Sequence, residues 1–161
     1  RMKIAIGTDH AGFEHKAVLI ARLKDWGHEV QDFGTDSAAS CDYPPIARKV
    51  AEAVASKKAD GGILICGTGV GMSIAANKVP GIRASLCITE LMARDTRLHN
   101  DSNILVLAAR VNSAETNVKL AEIWLNEGFS RIERHARRVA QIAEIEKSYL
   151  ATGSCPGKES H

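Results

Sequence analysis

Gly61-Gly62-Ile63-Leu64-Ile65-Cys66-Gly67-Thr68-Gly69-Val70-Gly71-Met72-Ser73-Ile74-Ala75-Ala76-Asn77-Lys78 reads as a buried strand, a glycine turn and the opening of a helix. Ile63, Leu64 and Ile65 form a continuous apolar run, the pattern of a parallel strand covered on both faces. Gly67, Gly69 and Gly71 follow at two-residue spacing, so the backbone can turn sharply with no Cβ in the way. Their amides can converge on one point, toward which a helix from about Met72 aims its positive end. The stretch is suited to hold an anion, with Cys66 on the rim of the site.

Two readings of Cys66 stand side by side. A free cysteine is often a small buried apolar residue. A thiol beside amide donors and a helix N-terminus is instead biased toward the reactive thiolate. The glycines alone also have several meanings. A phosphate-loop NTPase needs Lys-Ser/Thr after its last glycine, and Met72-Ser73 stands there. A dinucleotide fingerprint wants its third glycine one place later, although Glu90 lies near the expected distance for a ribose-binding acid. A cysteine phosphatase would want an arginine closing the loop, which Met72 cannot supply.

The 161 residues are 45% hydrophobic and 25% charged, enough for one domain with a sizeable core, expected over residues 2–150. A net charge of +2 gives no argument for nucleic acid or a membrane surface. No apolar run reaches transmembrane length, and no signal-peptide pattern opens the chain. Met2 reads as the natural start, preceded by Arg1. Cys41, Cys66, Cys87 and Cys155 are scattered without zinc-type spacing, which suits a reducing compartment and a cytoplasmic protein.

In chain order, Lys3–Gly7 forms a first strand, followed by Thr8-Asp9-His10-Ala11-Gly12. From Phe13 to Trp26 the residues Phe13, Ala17, Ile20 and Leu23 recur at helical spacing, and Gly27 ends the helix. His28–Phe33 is a second, edge-like strand. A Ser-, Asp- and Pro-containing loop runs from Gly34 to Pro45, long enough to suggest a role. Pro45 suits the first turn of a helix to about Ser56, with Ile46, Val50 and Val54 on one face. After the glycine-loop helix, broken by Pro80-Gly81, Ile82–Ile88 makes a fourth strand. Thr89 caps a helix to about Leu98, ending at His99-Asn100-Asp101, and Ile104–Ala108 is a fifth strand. Helices follow at about 113–126 and 132–150, and residues 151–161 read as a mobile tail.

Strands alternating with helices predict a three-layer α/β/α, Rossmann-like domain around a five-stranded parallel sheet. Ligands bind beyond the carboxyl ends of such strands. That rule gathers Asp9-His10, the Cys66–Gly71 loop and the Ala109-Arg110 turn onto one rim. Asp9-His10 suits sugar or phosphate binding, or equally a turn Asp with a solvated His. His99, at a helix C-terminus, can act as an imidazolium or merely complement the dipole. Arg134 and Arg138 are four apart and can grip one phosphate, against the plainer reading of a solvated helix face. Only seven Phe, Trp and Tyr residues are present, which argues against a nucleic-acid surface. The six histidines have no metal-ligand spacing, so no metal site is expected.

Gly7-Thr8-Asp9-His10-Ala11-Gly12-Phe13, Asp42-Tyr43-Pro44, Asp60 through Lys78, His99-Asn100-Asp101-Ser102-Asn103 and Arg134-His135 with Arg138 together resemble the type B ribose-5-phosphate isomerases of the ribose/galactose isomerase group. The resemblance spans about Met2 to Tyr149. It implies interconversion of ribose 5-phosphate and ribulose 5-phosphate with no cofactor, and a strand order of 2-1-3-5-4. Cys66 would be the base between C1 and C2, and His99 would open the furanose ring. Asp9 and Tyr43 would assist at the sugar hydroxyls, and Thr68 would shuttle hydroxyl protons. The amides of Gly67, Thr68, Gly69, Val70 and Gly71 would hold the enediolate oxygen. His10, Arg134 and Arg138 would take the phosphate, with Asn100 and Arg110 completing the site. The resemblance further implies a homodimer, with a tetramer as the larger option, in which His99, Asn100 and Arg110 come from the neighbouring subunit.

Two other readings remain open. One is a sister isomerase acting on allose 6-phosphate or galactose 6-phosphate. The other is a non-catalytic nucleotide- or sugar-phosphate-binding module that reuses the glycine loop, with Glu90 as its best support. The joint presence of Cys66, Thr68 and His99 argues against the second.

Overall fold

The computed structural model describes residues 1–152, which build a five-stranded, all-parallel sheet and six α-helices. The strands are β1 (Lys3–Thr8), β2 (Glu29–Asp32), β3 (Gly61–Cys66), β4 (Ala84–Leu86) and β5 (Ile104–Ala108). Their order across the sheet is β2-β1-β3-β5-β4. The helices are α1 (Phe13–Asp25), α2 (Tyr43–Ala55), α3 (Val70–Ala76), α4 (Glu90–Asn100), α5 (Ala114–Asn126) and α6 (Glu133–Thr152). Among the described residues no helix is long and apolar enough to cross a membrane.

β3 lies at the centre and all six of its residues are buried, as its unbroken apolar run requires. Side chains alternate across a strand, so Ile63 and Ile65 pack with Leu19, Leu23, Ala93, Leu120 and Trp124 of α1, α4 and α5. Leu64 and Cys66 face the other way, toward Val50, Val54, Met72 and Ala76 of α2 and α3. Each fully buried Ile or Leu contributes about 1.5–3 kcal/mol, so this central strand anchors both layers. β2 is the edge strand, and only Val30 in it is even half-buried.

Five differences from the sequence expectation stand out. The long loop ends at Asp42, because Pro44 and Pro45 both sit in the first turn of α2, where a fixed φ and a missing N–H cost nothing. The helix after the glycine loop starts at Val70 and stops at Ala76 rather than running to Pro80. The amide of Asn77 leaves it to bind both edges of Ala84, donating to the carbonyl at 2.9 Å and accepting from the N–H at 2.8 Å. Those bonds occupy the free edge of β4, which is three residues long instead of seven. In α1 the buried stripe is Lys16, Leu19 and Leu23, one position round from the expected face, and Ala17 is exposed. At the C-terminus, residues 151 and 152 close α6, and the remainder of the expected tail lies outside the described residues.

Candidate active site

The C-terminal edge of the sheet brings three segments together. Asp9 N–H bonds the Ile65 carbonyl (3.2 Å), Ala109 N–H bonds that of Cys66 (2.9 Å), and Arg110 N–H bonds that of Gly67 (2.8 Å). The ends of β1, β3 and β5 are thereby laced side by side, with Cys66 between them, its side chain 5% exposed.

The loop after Cys66 turns through Gly69, whose φ of +78° places it in the left-handed region. A β-carbon there would also collide with Leu86 Cδ1. The Thr68 hydroxyl accepts from Val70 N–H at 3.4 Å. The amides of Gly67, Thr68, Gly69 and Gly71 meet no acceptor among the described residues. Because α3 has only seven residues, these loop amides matter more than a helix dipole. They are a run of unsatisfied donors directly after Cys66, suited to an oxyanion.

Side chains wall the loop. The Tyr43 ring lies against Gly71, where a β-carbon would be 2.6 Å from Cζ. The Arg110 side chain lies against Gly67, where a β-carbon would be 3.0 Å from Nη1. Arg110, which the resemblance assigns to the neighbouring subunit, thus packs on the rim of its own chain. Asp9 caps a short 3-10 turn (His10–Gly12): its Oδ1 accepts from Ala11 N–H at 2.9 Å and Gly12 N–H at 3.2 Å, leaving Oδ2 available. His10 is half-buried in that turn.

His99, Asn100, Arg134 and Arg138 lie elsewhere. α4 descends from the end of β4, and its C-terminus leads through Asp101, with φ of +47°, into the start of β5. Cys66 pairs with Ala108, whereas Gly62 pairs with Ile104. Four steps of β5 separate those levels, about 13 Å at 3.3 Å per residue, and His99 lies past the far end. Cys66 and His99 of one chain therefore do not share a site.

At this opposite corner the His99 and His135 rings stack with centroids 4.2 Å apart. His135 is buried and its Nδ1 lies 3.0 Å from the Ser130 hydroxyl. Burial pushes its pKa below the usual histidine value, and His99, Arg134 and Arg138 push it the same way. Arg137 is occupied by Glu133, at 2.8 and 2.6 Å. Arg134 and Arg138 pair with no carboxylate among the described residues, so their charge is available to an anion. Arg97 braces this corner: it stacks on Trp124 at 4.7 Å and donates to the Ser102 and Glu127 carbonyls.

Several supporting residues carry no signal in a motif. Lys16, 5% exposed, holds the Asp32 carboxylate at 3.0 Å and also donates to the Thr35 carbonyl. Its one clue is a charge on the buried stripe of α1. Asn117 is fully buried, and its amide donates to the Ala108 carbonyl at 3.4 Å beneath the Arg110 turn. Glu90 opens α4 after β4, and β5 separates that strand from the glycine loop on β3, which removes the main support for a dinucleotide site.

The sequence profile described as Ribose/Galactose Isomerase matches residues 4–142. The chain is 48% identical over 145 residues to ribose-5-phosphate isomerase B of Escherichia coli, covering 90% of this chain and 97% of that protein. It superposes on the Clostridium thermocellum ribose-5-phosphate isomerase B structure with a TM-score of 0.89 at 53% identity, covering 92% and 99% of the two chains. The Mycoplasma genitalium ribose-5-phosphate isomerase B structure, with bound ribulose-5-phosphate, matches with a TM-score of 0.86 at 39% identity, covering 90% and 96%.

Proposed function

Because the chain belongs to the ribose/galactose isomerase family, we propose that it interconverts ribose 5-phosphate and ribulose 5-phosphate, on a site completed by a second copy of itself. The observation that carries the reading is Cys66 beside four open loop amides, on a chain that matches named ribose-5-phosphate isomerases over 90% or more of its length.

The chemistry follows from that placement. Cys66, as a thiolate, takes the proton from C2 of the aldose. The electron pair moves to give the enediolate, and the proton is returned at C1. Charge gathers on the carbonyl oxygen, where the amides of Gly67, Thr68, Gly69 and Gly71 are already fixed. Removing one donor of this kind typically costs about 2.7–4 kcal/mol of barrier. Thr68 accepts from Val70 N–H and keeps its own hydrogen to relay between the two sugar oxygens. The free Oδ2 of Asp9 accepts from a sugar hydroxyl, and the phenol of Tyr43 lines the same wall.

Ring opening needs an acid at the ring oxygen, and the phosphate needs cations away from the reacting carbons. His99 fills the first role and Arg134 and Arg138 the second, with Asn100 beside them. Their distance from Cys66 within one chain supports their arrival from a second copy. His10 and Arg110 complete phosphate binding from the rim. A phosphate held at this remove fixes the carbons over Cys66 without contacting them.

Turnover of ribose 5-phosphate, allose 6-phosphate and galactose 6-phosphate, with chelator present and no cofactor added, tests the reading. Ribose 5-phosphate is expected to dominate. A faster hexose phosphate would reassign the substrate, and no turnover of any of the three would overturn the isomerase.

A further inference from the structure

We infer that the backbone N–H of Cys41, carried on the strap of residues 36–42, fixes the tautomer of His10 and thereby aims a single ring N–H at the substrate's phosphate. The contact is between the Cys41 amide nitrogen and His10 Nδ1, at 3.3 Å. An amide nitrogen only donates, so Nδ1 must be the accepting, unprotonated nitrogen. The hydrogen of the neutral ring is therefore on Nε2, the nitrogen not engaged by the strap.

The strap is built to hold this contact. At its root, Thr8 N–H bonds the Gly34 carbonyl and Thr35 N–H bonds the Thr8 carbonyl, both at 2.7 Å. Lys16, buried between α1 and β2, grips Asp32 and the Thr35 carbonyl at the same point. The far end enters α2 at Tyr43, whose ring is seated against Gly71. Within it, the Ser37 hydroxyl accepts from Ala39 N–H at 3.3 Å. Both ends are thus fixed to the segments that flank Cys66, and the one bond to a site side chain between them is the Cys41 amide on His10. Cys41 is a positioning residue, acting through its backbone, and its thiol takes no part. The phosphate half of the inference rests on the function proposed above, whereas the tautomer half does not.

Nitrogen-15 NMR of the imidazoles in the full chain, with His10 assigned by His10→Gln, reads the tautomer directly. Wild type and Cys41→Ala, which keeps the N–H, are expected to show His10 as the Nε2–H form. Cys41→Pro removes that donor, with Cys41→Ala controlling for the lost thiol, and is expected to show an Nδ1–H population. KM for ribose 5-phosphate should then rise about fivefold with kcat unchanged, the factor a typical hydrogen bond carries. A wild-type His10 protonated on Nδ1, or a Cys41→Pro spectrum matching Cys41→Ala, would overturn the proposal. The wild-type spectrum alone decides if Cys41→Pro does not fold. A shifted tautomer with an unchanged KM would keep the strap contact and remove His10 from the phosphate.

Discussion

The rim at the end of β3 and the corner where α4 meets α6 both carry candidate site residues, yet they are held by different means. At the rim, backbone does most of the work: carbonyls of Ile65, Cys66 and Gly67 lace three strand ends, and the amides of the glycine loop are left without acceptors among the described residues. At the corner, side chains hold one another: His99 on His135, His135 on Ser130, and Arg97 on Trp124. The rim has open amides and the Cys66 thiol but no pair of carboxylate-free arginines. The corner has Arg134, Arg138 and the His99–His135 ring pair but no thiol. The two are complementary, and one chain keeps them at opposite ends of its sheet.

Single substitutions should separate the two regions by the step they disturb. Cys66→Ala is expected to lower kcat by about 10²–10⁴-fold, the usual share of a positioned base, with phosphate binding retained. Turnover persisting in that variant would place the base elsewhere. In the corner, Arg134→Ala is expected to raise KM by roughly tenfold to a hundredfold, the worth of a charge-assisted hydrogen bond, while Arg137→Ala changes it little. Equal effects at the two arginines would mean that the Arg137–Glu133 pair does not decide which cation is available.

Stability should distinguish the regions as well. Gly69→Ala forces a side chain into the left-handed region against Leu86 and is expected to cost about 1–3 kcal/mol in urea unfolding. Gly128→Ala, where a β-carbon meets nothing within 4 Å, is the matched control. The corner should instead be sensitive to acid. His135 has a folded-state pKa below its unfolded value of 6.5, so below about pH 6.5 the unfolded chain binds more protons and stability falls with falling pH. His135→Gln should flatten that limb of the pH–stability curve, as read from urea midpoints between pH 5 and 8. An unchanged acid limb would show that His135 does not titrate on unfolding.

Much of the rim was legible because its chemistry is written in contiguous residues. The apolar run Ile63–Ile65 followed by alternating glycines specifies a central strand and a tight turn. The rule that ligands sit beyond strand C-termini then brings Asp9 and Arg110 beside Cys66. The observed strand order agrees with the one the family resemblance implies, and the span of β5 agrees with the reading of its apolar run. The supports were harder to read. Lys16 shows only as a charge on a buried stripe, and the seven-residue α3 is set by the unforeseen bonds of Asn77 to Ala84. The contact of Cys41 with His10 uses a backbone N–H, which every residue but proline has, so no sequence pattern could mark it. The separation of His99 from Cys66 was implicit in the helix itself: a helix after a parallel strand ends at the opposite edge of the sheet.

On this reading Cys66 of one copy works with His99 of another. Co-expressing Cys66→Ala with His99→Ala chains and assaying ribose 5-phosphate turnover tests this directly. In a two-fold dimer with shared sites, each mixed pair holds one intact site. Random pairing should then restore about one quarter of wild-type activity from two chains that are separately inactive. No recovery, with mixed pairs shown to form, would mean that both residues serve the same chain's site and would contradict the account.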